Sequence, residues 1–342
     1  EQTPGISQIP GVLSGVAMRD TPGDVGTGVS TPSESERRSP YDVAAASLKR
    51  AEEALRSLEE FGKCLSAELG GRFESLRYRL YTLEKVILTT AGSQRRLAGR
   101  RLYLLLTREL CRQDPESVVR AAVTAGVDVI QVREKTLSDR ELLAWALRVR
   151  AIIEEPGVAR PDERDGREDV SAASSHALRS SGRATPLQSP IPDPPSPPLL
   201  IVNDRPDIAV LCRADGVHVG QDELSAADVR RIVGPEMLVG VSTHTLAQAQ
   251  QAVLDGADYL GVGPVFASRT KEFEEYAGLD FVRDVASEIS LPWFAIGGIR
   301  PDNAVEAISA GAERIAVSGA ICRAEDPANA TAALRTVVDG QP

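Results

Sequence analysis

Apolar and polar positions change texture three times along the chain. Residues 1–40 are Gly, Ser, Thr, Pro and charge with few large apolar side chains, too little burial to offset chain entropy, and this predicts disorder. From Tyr41, Ala51, Leu55, Leu58, Leu65 and Leu69 recur at helical spacing up to Gly70-Gly71. Phe73, Leu76, Leu80, Leu83 and Ile87 then step along a second helix. The pattern predicts a helical hairpin over 41–97 that turns at the Gly pair, a small appendage with no catalytic constellation.

Beyond Leu102 short apolar runs alternate with helical stretches. Predicted strands are Tyr103–Thr107, Val127–Arg133, Leu199–Val202, Gly216–Val219, Leu238–Ser242, Tyr259–Val262, Trp293–Ile296 and Arg314–Val317. Helical patterns follow, among them Pro115–Ala125, Asp139–Ile153, Thr245–Asp255 and Pro301–Ala310. The strands are nearly continuous apolar runs, as strands covered on both faces should be. Eight such units predict an α/β fold, a closed (β/α)₈ TIM barrel over 101–340. An open doubly wound sheet fits less well, because no GxGxxG follows the first strand. Residues 155–198 interrupt the barrel with charge, serine and PLQSPIPDPPSPP, whose prolines forbid helix or central strand. A disordered surface insertion is the reading, in preference to a proline-rich ligand for a partner.

Charge narrows the partners. The net charge is −10, which argues against nucleic-acid or membrane-surface binding. The four cysteines, Cys64, Cys111, Cys212 and Cys322, form no CxxC, which suggests neither a zinc site nor a disulfide framework and fits a cytoplasmic protein. No apolar run is long enough to span a bilayer, and no signal peptide is seen at the start.

The chemistry gathers where strands end, which in such a barrel is the active face. After the second strand, alternation turns Gln131, Arg133 and Lys135 toward the mouth, two cations and an amide suited to a diphosphate. Asn203-Asp204 ends the third strand, and Asp222-Glu223 follows the fourth. Carboxylates beside a diphosphate-sized cationic site suggest Mg²⁺, although Asp222 or Glu223 could instead cap the helix starting near Ser225. His218 reads as a structural core residue. One hydroxyl of Ser242-Thr243-His244-Thr245 should cap the next helix. Ser268, Thr270 and Lys271 follow the sixth strand, Gly297-Gly298 the seventh and Ser318-Gly319 the eighth, a phosphate cradle in which glycine lets backbone N–H groups approach an anion.

These blocks, QVREK at 131–135, ND at 203–204, GVHVGQDE at 216–223, GVSTHT at 240–245, ADYLGVGPVFASRTK at 257–271 and AIGGI at 295–299, resemble the thiamine-phosphate synthase family over residues 101–338, insertion excepted. The resemblance implies Mg²⁺-dependent coupling of a hydroxymethylpyrimidine diphosphate to a thiazole phosphate, without a clear acid or base. It implies that Gln131, Arg133, Lys135, Asn203, Ser242 and Lys271 hold the pyrimidine diphosphate. Ser268, Thr270, Gly298, Ser318 and Gly319 then hold the thiazole phosphate. Asp204 and Glu223 take the metal, Asp222 being the alternative second ligand. Ser268 stands where the family has threonine, and Ser318-Gly319 where it has Val-Ser. The segment at 41–90 resembles an N-terminal extension of some family members. The competing readings are a thiazole tautomerase-like barrel, which should lack the diphosphate clamp, and a non-catalytic sensor of thiamine intermediates.

Overall fold

A computed structural model of the chain describes residues 40–155, 197–267 and 277–340. Apart from their end residues, the stretches 1–40 and 155–198 expected to be disordered lie outside the described residues, as do Ser268, Thr270 and Lys271. The chain forms two compact units that divide between Gly92 and Ser93.

The first unit is a helical hairpin, α1 (Pro40–Leu65) and α2, whose full span is Ala67–Arg96. The turn is at Ser66, not at the expected Gly70-Gly71. Ser66 Oγ accepts the N–H of Leu69 at 3.1 Å and so caps α2. The glycines serve packing instead. A Cβ on Gly62 would lie 3.2 Å from Gly70 N, so the two helices cross in direct backbone contact there. The hairpin closes on itself through polar groups: the buried Glu59 carboxylate takes Arg77 Nε and Lys63 Nζ, each at 2.8 Å, and Lys49 bridges to Glu84.

The second unit is a closed barrel of eight parallel strands in sequence order. They are β1 (Leu102–Leu106), β2 (Val129–Val132), β3 (Leu199–Asn203), β4 (Gly216–Val219), β5 (Leu238–Thr243), β6 (Tyr259–Val262), β7 (Trp293–Ile296) and β8 (Ile315–Val317). Between and after them run α3 (Pro115–Thr124), α4 (Asp139–Ile153), α5 (Pro206–Leu211), α6 (Ala226–Val233), α7 (Leu246–Asp255), α8 (Gly278–Glu288), α9 (Ala304–Ser309), α10 (Gly319–Cys322) and α11 (Pro327–Asp339). Period-two alternation splits the buried side chains into two sets. Tyr103, Val129, Ile201, Leu238, Tyr259, Phe294 and Ala316 fill the barrel, joined by Leu97, while the larger set packs strands against helices. Helix starts follow local caps: Ser138 with Glu141 forms a capping box on α4, Ser225 caps α6 and Thr245 caps α7. Ser225 thus leaves Asp222 and Glu223 without a capping role.

A repeated aspartate fixes the N-terminal end of the barrel. Asp128, Asp215 and Asp258 each precede an even-numbered strand and accept a backbone N–H of the preceding odd one. Asp128 Oδ2 takes Leu102 N at 2.9 Å, Asp215 Oδ2 takes Leu200 N at 2.8 Å and Asp258 Oδ2 takes Val239 N at 2.8 Å. Arg335 reaches Asp128, Arg230 reaches Asp258, and Ser93 Oγ donates to Asp258 at 2.9 Å. Removing one partner of a buried pair leaves the other charge uncompensated. Asp128→Ala is therefore expected to lower unfolding stability by about 3 kcal/mol, read by urea denaturation. A loss within experimental error would show that the aspartate does not pin the strand.

Candidate active site

The C-terminal rim of β2 to β5 carries the polar groups. The N–H of Arg133, just past β2, donates to Leu106 O at 2.9 Å and keeps the strand direction one residue further. Glu134 falls on the opposite side: its carboxylate accepts Arg108 N at 2.8 Å, and burial raises it above the usual range. Alternation therefore separates Glu134 from the expected Gln131–Arg133–Lys135 face.

Asp204 sits at the end of β3 with φ 60, its N–H donating to His218 O at 2.8 Å. Aspartate tolerates this left-handed conformation better than most residues. Asn203 Nδ2 donates to Asp204 Oδ2 at 2.6 Å. Burial, and next the charge of Glu223, raise the Asp204 carboxyl, while Lys135, the Asn203 bond and Arg133 act in the opposite sense. Two carboxylates and two cations from three strand ends thus share one electrostatic neighbourhood. The Glu223 carboxylate folds over Gly220, where a Cβ would lie 2.4 Å from Oε2. Asp222 and Glu223 are both exposed, and it is Glu223 whose charge acts prominently on Asp204.

Beneath the rim runs a chain of neutral hydrogen bonds. Gln131 Nε2 donates to Tyr103 Oη at 2.8 Å, Tyr103 Oη is 3.1 Å from Tyr259 Oη, and Tyr259 Oη is 3.2 Å from His218 Nδ1. His218 Nε2 is 2.9 Å from Ser242 Oγ. Burial keeps both phenols protonated and pushes the imidazole down to about 4, with Arg133 adding to the effect. Gln131 Nε2 is the donor at one end; the Tyr103–Tyr259, Tyr259–His218 and His218–Ser242 bonds can all run in either direction, set together by the imidazole tautomer. Gln131 Oε1 is buried with no partner among the described residues. His218 fits the structural role expected for it. Tyr103 and Tyr259 were not foreseen, since aromatic residues at inward strand positions read as core.

The imidazole makes stability depend on pH. Unfolded histidine titrates near 6.5 and the folded group near 4. As pH falls between these values only the unfolded chain gains this proton, so stability is lost. His218 is expected to account for a loss of about 3 kcal/mol across that window, seen as a pH slope that flattens in His218→Gln. An unchanged slope in the variant would rule out this assignment.

The other rim sector is the candidate phosphate cradle. Gly298 has φ 65, and a Cβ there would meet Ala267 O at 2.6 Å, so glycine is required by conformation and by space. Asn303 braces this turn, donating to Gly298 O at 3.0 Å and accepting Arg300 N at 2.8 Å. Ala267, whose carbonyl lies beside Gly298, is the last residue described before the segment holding Ser268, Thr270 and Lys271. Ser318 and Gly319, both half-buried, open α10. The described site residues therefore lie at the C-terminal ends of β2, β3, β4, β5, β7 and β8.

A family model for thiamine monophosphate synthase matches residues 102–160 and 198–321, the barrel on both sides of the proline-rich stretch. The chain belongs to the thiamine monophosphate synthase family. A thiamine-phosphate synthase of Gloeobacter violaceus is 42% identical over 92% of this chain and 80% of its own length. One from Rhodopirellula baltica is 37% identical over 96% of this chain and 79% of its own length. The solved thiamine phosphate pyrophosphorylase from Pyrococcus furiosus is 29% identical with a TM-score of 0.54, covering 70% of this chain and 96% of its own. A ThiD2 family model matches residues 9–86, a span that includes most of the helical hairpin. Thiamine-phosphate synthases are transferases, and this member of the family is an enzyme of that class.

Proposed function

We propose that this synthase joins 4-amino-2-methyl-5-(diphosphooxymethyl)pyrimidine to 4-methyl-5-(2-phosphoethyl)thiazole, releasing diphosphate and forming thiamine phosphate. The carrying observation is the convergence of Arg133, Lys135, Asp204 and Glu223 in one neighbourhood on the active face. A thiazole tautomerase would have no use for that set.

Mg²⁺ fits these residues. The described residues hold no cluster of three or more His, Cys, Asp or Glu that could cage a metal. Mg²⁺ needs no such cage, because one or two carboxylates suffice when phosphate oxygens and water complete its octahedron. Asp204 and Glu223 would hold it, and their mutual repulsion is what a cation between them would relieve. When bound, it would neutralise charge on the departing diphosphate.

The chain's own groups do the rest. Arg133, Lys135 and, from the sequence, Lys271 stabilise the charge that grows as the C–O bond to diphosphate breaks. The aminopyrimidine ring carries positive charge at its methylene carbon. Gln131, whose buried Oε1 has no partner among the described residues, would accept from the ring amino group, and Ser242 would contact the diphosphate side. The thiazole nitrogen then forms the new bond to that carbon. Ser268 and Thr270, with the backbone of Gly298, Ser318 and Gly319, hold its phosphate. No general base is needed, and orientation of two substrates supplies much of the rate. The relatives act on small molecules, and a cytoplasmic enzyme fits this assignment; among the described residues no helix is long and apolar enough to cross a membrane.

Calorimetry tests the clamp. The pyrimidine diphosphate should bind with Mg²⁺ present and lose most of its affinity in EDTA, while thiazole phosphate binding is unaffected. Metal-independent binding of the diphosphate would remove Asp204 and Glu223 from the assigned role.

A further inference from the structure

Barrel closure brings together two cysteines from opposite ends of the barrel sequence. Cys111 follows the short 3₁₀ turn Arg108–Leu110 after β1, and Cys322 is the last residue of α10 after β8. A backbone hydrogen bond, Arg112 N to Cys322 O at 2.9 Å, holds the two main chains against each other. The sulfurs lie along one stretch of backbone: Cys111 Sγ is 3.5 Å from Thr107 O, and Cys322 Sγ is 3.8 Å from Leu105 O. The two thiols act on each other electrostatically, and Cys322 N donates to Ser318 O at 3.0 Å, which ties the second cysteine to the cradle residue. Cys322 is buried and Cys111 is only half-buried. Neither has a part in the coupling chemistry.

We infer that Cys111 and Cys322 form a reversible disulfide that weakens binding at the adjacent Ser318-Gly319 phosphate cradle. The co-reactant is a small-molecule disulfide, R–S–S–R. Cys111, the accessible sulfur, attacks it as thiolate, forming a mixed disulfide and releasing one RS⁻. The Cys322 thiolate then attacks the Cys111 sulfur, closing the protein disulfide and releasing the second RS⁻. The two thiol protons end on two RSH, so the protein loses two hydrogens and one R–S–S–R is reduced. The resolving step suits Cys322. Cys111 lowers the Cys322 thiol against the opposing effect of burial, while Cys322 and burial raise the Cys111 thiol, so entry at Cys111 is the slow step and resolution by Cys322 the fast one. Once the bridge forms, the four-residue α10 that begins at Gly319 is tethered to the β1 loop, and with it the turn in which Cys322 N bonds Ser318 O.

The effect on the cradle rests on the proposed thiazole-phosphate role; the thiol pair does not. The test therefore reads them separately. The full-length protein is incubated with glutathione disulfide, alkylated and mapped by non-reducing peptide mass spectrometry, with kinetics on the same samples. The expected result is a Cys111–Cys322 linked peptide pair and a KM for thiazole phosphate raised about tenfold, the size of one lost hydrogen bond to a charged group, with kcat little changed. Dithiothreitol should reverse both. Cys322→Ser should stop at a glutathione adduct on Cys111, and Cys111→Ser should give neither adduct nor bridge there. Exposed Cys64 is the internal control for exchange. Separate alkylation of both thiols after control exchange is complete would overturn the pair. A bridge with unchanged KM would overturn its link to the cradle. If the untreated protein made no product, the function would fall while the peptide map still decided the pair.

Discussion

Arg133→Ala is expected to lower kcat/KM for coupling by about 1,000-fold while leaving thiazole phosphate affinity unchanged. Arg133 stands one residue past β2, and its charge reaches both Asp204 and His218. In the complex the same charge faces a diphosphate that becomes more negative as the C–O bond breaks. An interaction that strengthens in the transition state lowers kcat as well as affinity. Lysine at this position keeps the charge but loses the planar two-pronged fork, so Arg133→Lys should recover only part of the activity. Stopped-assay kinetics with each substrate varied in turn, beside calorimetry with thiazole phosphate alone, separate the effects. Equal loss of coupling and of thiazole phosphate binding would contradict the assignment.

Asp204→Asn should have opposite effects on activity and stability. Activity is expected to fall by about 1,000-fold and the Mg²⁺ concentration needed for half-maximal rate to rise, because the amide cannot supply a charged metal ligand. Stability of the ligand-free protein should increase. Burial and Glu223 both disfavour the charged Asp204 carboxyl, so at neutral pH that charge opposes folding. Its raised pKa places the loss of stability where pH rises through the carboxylate range toward the folded value. Asparagine keeps the left-handed backbone and can still accept from Asn203, which makes it the clean substitution. A rise in Tm of about 2 °C is expected for the ligand-free protein. An inactive variant with a lowered Tm would mean that Asp204 matters for the turn and not for the metal.

Much of this was legible because the barrel strands are buried on both faces. β4, β6 and β7 have the bounds expected from their apolar runs, and β1 differs by one residue at each end. The helix starts at Ser138, Ser225 and Thr245 were readable because a cap needs only a hydroxyl and a following N–H. What escaped depends on contacts between distant segments. Asp128, Asp215 and Asp258 look like turn residues until the neighbouring odd strand supplies the N–H. Tyr103 and Tyr259 look like core until His218 and Gln131 are seen beside them. Gly70-Gly71 has the composition of a turn, yet Gly70 serves the close approach to Gly62, and Ser66 makes the break. Cys111 and Cys322 are far apart in sequence and adjacent only because β8 closes on β1. The site residues in the Ser268–Lys271 stretch rest on sequence alone.

The most direct measurement follows both products of one reaction. The purified protein is mixed with the pyrimidine diphosphate, the thiazole phosphate and Mg²⁺, and phosphorus NMR records diphosphate and thiamine phosphate together. The proposed function predicts that both appear in equal amounts and that EDTA stops both. Diphosphate release without thiamine phosphate, or no reaction while thiazole phosphate still binds, would contradict it.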